Sequence, residues 1–277
     1  MRLARHGAAG VERPLISGAD GAWRDLRPVI DDLTPATLPA VLGGIDIGAL
    51  PVVEAPGRFG PPLSGIGKIV CIGLNYRAHA AETGAAVPEE PIVFLKTPDT
   101  VVGPDDRVLI PRASAKTDYE VELAVVIGRE ARYLLDDDAA AACVAGYAIS
   151  NDVSEREFQL ERGGQWDKGK NCETFNPLGP WLLTADEVPD PQALGLRLSV
   201  NGEPRQDSNT SDMIFGVHRI IRYLSHFMVL RPGDVINTGT PSGVAMGLPG
   251  MPYLREGDVV DVEIDGLGRQ RQTFGQA

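Results

Sequence analysis

The chain has 277 residues, 43% of them apolar, and sets 26 Lys and Arg against 38 Asp and Glu, a formal charge of 26 − 38 = −12. That length can bury one large core with a small appendage, and the acidic balance argues against nucleic acid or an anionic membrane as partner. Cys71, Cys143 and Cys172 form no metal motif and leave an odd count, which suits reduced thiols in a cytosol; residues 1–7 carry no signal-peptide core, and no run approaches the roughly 18 apolar residues of a membrane span.

Residues 1–60 carry short strand-like pieces, an acidic Asp31-Asp32 turn and a Leu-, Ala- and Gly-rich region from Leu33 to Leu50. The stretch 55–62, APGRFGPP, reads as a linker, so the expected division is a small N-terminal domain over 1–62 and a catalytic domain over 63–277. An apolar strand at Lys68–Ile72 then leads into Gly73-Leu74-Asn75-Tyr76-Arg77-Ala78-His79-Ala80-Ala81-Glu82-Thr83-Gly84. Asn75 is the predicted N-cap of a short helix and Gly84 its stop. His79 and Glu82, three apart, share a face of that helix. A Glu that orients an imidazole and raises its basicity is the arrangement needed to activate water; a surface His–Glu pair of no consequence has the same spacing.

The segment 118–128, DYEVELAVVIG, alternates as a strand does, with Tyr119, Val121, Leu123, Val125 and Ile127 on one face. Glu120 and Glu122 share the other, roughly 7 Å apart from the strand rise, and that face continues into Ala124 and Val126. Two carboxylates entering an apolar surface repel each other and are costly to desolvate without a counter-charge. A hard divalent cation with oxygen ligands supplies one, whereas a solvated edge-strand Glu-x-Glu needs none. A second apolar run, Val144–Ser150, ends in Asn151-Asp152 and offers a third oxygen ligand. Three carboxylates with open positions suit Mg²⁺ or Mn²⁺, and no His/Cys cluster has zinc spacing.

After Asp152, Ser154 and Glu157 form a capping-box pattern that predicts a helix over 155–161. The Gly-rich segment 162–175 follows, and it reads either as a flexible surface excursion or as a loop closing over an anionic ligand, with Lys170 as the cation for a developing oxyanion. Further helices are predicted near 76–83, 137–143 and 212–226. Strands are predicted at Leu196–Val200, before the Asn201-Gly202 turn, and at Val259–Ile264, before Asp265-Gly266. The turn 237–244, NTGTPSGV, offers backbone amides and Thr240 to a carboxylate. Few helix signals among many strand signals make the chain a strand-rich α+β protein.

These motifs, in this order from residue 65 to 277, resemble the fumarylacetoacetate hydrolase superfamily. The resemblance is carried by Gly73-Leu74-Asn75-Tyr76 with His79 and Glu82, Phe94-Leu95-Lys96, Asp118–Leu123, Asn151–Ser154, Gln165–Lys170 and Asn237–Pro241. It implies a mixed β-roll with a small N-terminal α+β domain, and a homodimer. It further implies Glu120, Glu122 and Asp152 as ligands of Mg²⁺ or Mn²⁺ and His79 with Glu82 as the water-activating dyad. Lys170 and Thr240 would contact a small anionic keto acid, with Gln165 as a helper. Tyr76 and Arg77 complete the expected substrate contacts, and Lys96 is a further candidate to attract the anion. Within the superfamily, the run from Ser154 to Lys170 is most similar to bacterial hydrolases of 2,4-diketo-3-deoxy fuconate or rhamnonate, relatives of which often carry a ureidoglycolate lyase label. The implied reaction is cleavage of the C3–C4 bond of a 2,4-dioxo acid to pyruvate and a second acid such as lactate. Oxaloacetate decarboxylation and hydratase or tautomerase chemistry share the same metal and dyad.

Overall fold

The computed structural model describes residues 1–54 and 56–277. Ala55, the first residue of the expected linker, lies outside the described residues. In chain order the strands are β1 (Arg2–His6), β2 (Arg13–Ser17), β3 (Trp23–Asp25), β4 (Ile69–Gly73), β5 (Ile92–Lys96), β6 (Val101–Val102), β7 (Val108–Ile110), β8 (Thr117–Asp118) and β9 (Val121–Ile127). They continue as β10 (Val144–Asn151), β11 (Ser154–Glu155), β12 (Asn176–Thr184), β13 (Gly195–Val200), β14 (Glu203–Asn209), β15 (Val235–Asn237), β16 (Val259–Ile264) and β17 (Gly268–Gln276). The α-helices are short: α1 (Leu38–Leu42), α2 (Arg77–Thr83), α3 (Asp137–Ala141), α4 (Asp167–Lys170) and α5 (Val217–Leu224). The expected strand-rich α+β class is the observed one. No helix among the described residues is long and apolar enough to cross a membrane.

A ten-stranded sheet runs in the order β3-β2-β1-β12-β10-β9-β15-β4-β5, with β6 added on β12. A five-stranded sheet, β14-β13-β16-β17-β7, packs against it. Strand β9 lies at the centre and is buried along its whole length. Its alternation feeds two cores. Tyr119, Val121, Leu123, Val125 and Ile127 join the core shared with the second sheet and α5. Ala124 and Val126 join the core beneath α1 and the segment around Leu26 and Leu33. A strand covered on both faces reads as a continuous apolar run, so the two acids near its start stand out against it. The N-terminal strands extend the main sheet rather than forming one of their own, since β1 pairs antiparallel with β12.

Two local expectations are corrected. Asn75 does not cap α2, whose N-cap position is Tyr76. Its amide instead bonds Phe215 O (3.0 Å) and Thr238 O (2.7 Å) and accepts from Phe215 N, because these loop groups are buried and must be satisfied. Ser154 likewise does not open a helix. It lies in β11, paired with β8, and the following turn is a five-residue π-helical one, Glu157–Glu161, in which Phe158 N donates to the Glu155 carboxylate at 2.7 Å. Helices α2, α3 and α5 form inside their predicted spans, whereas α1 and α4 lie outside any predicted span, and Gly84 ends α2 in the left-handed conformation at φ 67°.

Candidate active site

The site sits where the start of β9, the end of β10, α2 and α4 converge. Glu120 immediately precedes β9, and its backbone is locked to the end of β10. Asp152 N donates to Glu120 O at 2.9 Å, and Glu120 N donates to the Asn151 amide oxygen at 3.1 Å. This double tie brings Glu120, Glu122 and Asp152 together, all buried, with one carboxylate oxygen from each within 4.8 Å of the others.

Three cations answer this charge. Lys170 Nζ bridges Glu120 Oε2 and Asp152 Oδ2, each at 2.7 Å. Lys96 Nζ bonds Asp152 Oδ1 at 2.5 Å and spends its other protons on Val153 O and Phe175 O. Arg156 reaches Glu120 Oε1 at 2.7 Å and Asp118 Oδ2 at 2.8 Å. Glu122 has no side-chain cation among the described residues; Gly239 N donates to its Oε2 at 2.7 Å. Only glycine serves at 239, where φ is 98° and a Cβ would lie 2.7 Å from Asn75 Cβ.

The electrostatic outcome follows from this division. Burial alone would raise the Glu120 carboxyl, but Lys170 and Arg156 outweigh it and bring it down to about 2. Burial, reinforced by the charges of Asp152 and Glu120, pushes the Glu122 carboxyl well above its usual range. Four acids, Asp118 included, face three cations, and the deficit falls on Glu122. A hard divalent cation is the chemical answer to three converging carboxylates of which one lacks a counter-charge, so the donor set fits Mg²⁺ or Mn²⁺.

His79 and Glu82 lie on one face of α2, with Nδ1 3.2 Å from Glu82 Oε2. His79 is 7% exposed and lines the same cavity, of about 210 Å³, as Glu120, Glu122, Arg156, Lys170 and Thr240. The outer wall of that cavity is mainly apolar, built by Leu74, Ile92, Leu160, Trp166 and Met246, with Thr83 and Gln159 as polar exceptions. Leu74 holds a left-handed backbone, φ 53°, which is strained for a side chain of its size. The segment 162–175 contributes Trp166 and Lys170 to the wall. It is anchored on β5, the edge of the main sheet, where Asp167 accepts from Leu95 N at 3.1 Å and Asn171 pairs with Leu95 O and Thr97 N. These side chains occupy the edge-strand groups that a further strand would otherwise take.

Of the remaining sequence-derived candidates, Thr240 lines the cavity, donating to Val121 O (3.0 Å) and accepting from Gln206 (2.8 Å). Tyr76 is fully buried, and its hydroxyl finds no hydrogen-bond partner among the described residues. Arg77 Nη1 donates to the carbonyls of Asp212 and Met213, and exposed Gln165 donates to Asp167; neither residue lines the cavity. Lys96 is consumed inside the cluster and offers no free proton to a substrate. Burial lifts the Cys172 thiol to about 11, which leaves it inert as a nucleophile. The sequence reading missed Arg156 as the partner of Glu120, Gln159 beside it, and the apolar outer wall. A signal for Arg156 existed: it lies four residues beyond Asp152, next to a cluster short of positive charge.

The surroundings of this site recur in known proteins. The model of the fumarylacetoacetate hydrolase C-terminal domain matches residues 68–275. A protein of Burkholderia multivorans bearing a general hydrolase name is 51% identical over 277 residues, covering 98% of each chain. The crystal structure of an HpcE protein from Mycobacterium smegmatis superposes with a TM-score of 0.90 at 38% identity, and fumarylacetoacetate hydrolase from Exiguobacterium antarcticum with 0.88 at 33%, each over 100% of both chains. With three buried carboxylates and the His–Glu pair all inside the matched span, and the fold shared from end to end, the chain belongs to the fumarylacetoacetate hydrolase family.

Proposed function

We propose that this enzyme hydrolyses the C3–C4 bond of 2,4-dioxo acids, releasing pyruvate and the carboxylic acid that begins at C4. One observation carries the reading: His79, Glu120 and Glu122 line a single cavity, with Glu82 paired to His79 and Asp152 clustered with the two glutamates. A divalent cation held by those three carboxylates would act as a Lewis acid toward the oxygens of a 2-oxo acid.

The chain's own groups supply the rest. Glu82 holds His79 Nδ1, which leaves Nε2 to take a proton from a water molecule aimed at C4. The water oxygen bonds to C4 and the C4 carbonyl oxygen takes up the charge. Collapse of that adduct breaks C3–C4, the bonding pair passes to C3 as the enolate of pyruvate, and a proton then returns to C3. Lys170 and Arg156, both on the cavity wall and both raised above their ordinary pKa by neighbouring carboxylates despite the opposing effect of burial, stay charged to favour the negative charge that develops. Trp166, Leu74 and Ile92 limit access of bulk water.

The outer wall bears on the acyl part of the substrate. A polyhydroxylated tail, as in the diketo-deoxy fuconate or rhamnonate suggested by the run from Ser154 to Lys170, would place hydroxyls against Leu74, Ile92, Leu160, Trp166 and Met246, at about 1–3 kcal/mol for each one left unpaired. An alkyl or aryl tail meets no such cost, which makes the sugar-acid form the weaker of the two. The deciding assay is pyruvate release with Mg²⁺, followed by lactate dehydrogenase and NADH and by mass spectrometry of the second acid. Its panel contains acetopyruvate, longer alkyl and aryl acylpyruvates, both diketo-deoxy sugar acids and oxaloacetate. EDTA-sensitive cleavage that is fastest for an apolar acylpyruvate supports the reading. Fastest turnover of a sugar acid keeps the hydrolase and reverses the tail, whereas pyruvate from oxaloacetate alone, with CO₂, replaces hydrolysis by decarboxylation.

A further inference from the structure

Helix α2, which carries His79, is two turns long and followed by an exposed loop, so its own hydrogen bonds cannot fix the imidazole to within the tolerance that proton transfer needs. Something outside the helix must hold it. Glu82 is gripped from two sides: Oε2 faces His79 Nδ1 at 3.2 Å, and Oε1 accepts from Gly243 N at 2.9 Å. Behind the carboxylate lies Gly247, where a Cβ would come within 2.7 Å of both Glu82 Cγ and Oε2 and collide with Cδ.

The turn that makes these contacts is itself fastened to the carboxylate cluster. Tyr119 Oη donates to Gly243 O at 3.1 Å. The Asp118 carboxylate accepts from Ala245 N at 2.8 Å and Met246 N at 3.1 Å. These two residues immediately precede Glu120, and Asp118 also holds Arg156, which holds Glu120. A continuous line of contacts therefore runs from Glu120 through Arg156, Asp118 and the turn to Glu82 and His79.

We propose that residues 243–247 form the seat that sets His79 in register with the carboxylate cluster, and that Gly247 is the positioning residue which admits the Glu82 side chain. The proposal rests on reading His79 and Glu82 as the water-activating pair. It makes a specific mechanical claim. Because the turn is pinned by buried Asp118 and Tyr119 while Glu82 is a flexible side chain, a methyl group at 247 moves Glu82 and leaves the turn in place.

The test uses the full chain with Mn²⁺ and its best 2,4-dioxo acid from the panel above. Gly247→Ala is expected to lower kcat roughly 10²-fold, the scale of a misplacement of about 1 Å, with KM and Mn²⁺ affinity changed by no more than about threefold. In a Glu82→Ala background the same substitution is expected to cost nothing further, since its effect passes through that carboxylate. Wild-type turnover by Gly247→Ala overturns the seat. So does an equal loss in the Glu82→Ala background, and so does loss of Mn²⁺ binding together with kcat, which would mark Gly247 as a support of the whole site. Full turnover by His79→Ala, measured alongside, is a separate result: it removes the dyad on which the seat depends.

Discussion

Two charge networks lie in this molecule, one half-buried and one buried, and they are built to different ends. Near the N-terminus, Arg5 meets Asp32 (2.7 Å), Arg58 meets both Glu12 (2.9 Å) and Asp106 (2.6 Å), and Ser64 adds a hydrogen bond to Asp32. Every carboxylate there has a guanidinium in contact. Arginine's planar fork suits such pairing, and the network ties the first strands to the segments at 58–64 and 103–106. Beneath the cavity, Glu120 and Asp152 are answered by lysines and an arginine, while Glu122 receives one backbone N–H. In the first network the acids outnumber the arginines by one, yet each touches a guanidinium. In the second, Glu122 touches no side-chain cation among the described residues, at the buried spot where three carboxylates converge, and that unmatched acid is what reads as a binding function rather than a structural one.

The widest separation between the two regions should appear in turnover. His79→Ala is expected to lower kcat roughly 10²- to 10⁴-fold with the thermal midpoint unchanged, and Arg5→Met to leave kcat untouched. The second expectation is on stability: Arg5→Met should cost about 3 kcal/mol in urea unfolding, at the low end for a broken buried pair because Asp32 keeps some exposure. A neutral result there would mean that the N-terminal network is as dispensable as a surface pair.

A smaller effect separates the networks by ligand. Mn²⁺ at about 100 times its dissociation constant should stabilise the wild-type chain by about 2.7 kcal/mol through mass action, and Glu122→Gln should lose most of that gain. Equal stabilisation of both proteins would place the ion away from Glu122.

The finest distinction is in pH. Glu122 is held above its ordinary value of 4.5, chiefly by burial and then by Asp152 and Glu120. The folded state therefore keeps a proton that the unfolded chain releases, and its contribution to stability is full below pH 4.5 and is lost as pH rises toward the folded pKa. Glu120, lowered to about 2, has the opposite sign: its contribution is present above 4.5 and is lost as pH falls toward 2. In EDTA, this group's contribution makes unfolding free energy decline as pH rises above 4.5, and Glu122→Gln should flatten that decline. A wild-type curve rising over this range would show that the Glu122 charge is compensated after all.

Much of this was legible before any coordinates. The alternation from Tyr119 to Ile127 gave two faces because a β-strand has a period of two, and both faces are buried as that pattern requires. Gly84 as the end of α2 and Val259–Ile264 as a strand were likewise local consequences of backbone conformation and side-chain type. Where the reading failed locally, a distant partner prevailed. Asn75 has the chemistry of an N-cap, yet its amide serves loops at 215 and 238; Ser154 has a capping-box partner in Glu157, yet its backbone pairs with Asp118. Arg77 and Gln165 are expected anion contacts whose side chains reach nearby carbonyls and Asp167 and do not line the cavity.

The sequence by itself therefore determined the chemistry available: three acids bordering apolar strands, a histidine with a glutamate on its own helix face, and a lysine beyond a glycine pair. Periodicity and local spacing carry that information because each spans only a few residues. The tertiary structure alone decided which of these groups meet. The tie between Glu120 and Asn151-Asp152, the pairing of Arg156 with Asp118 and Glu120, the bond from Gly239 N to Glu122 and the seat for Glu82 join segments up to 161 residues apart. Contacts at that range are set by how the sheets close and what they bury, which no local pattern encodes.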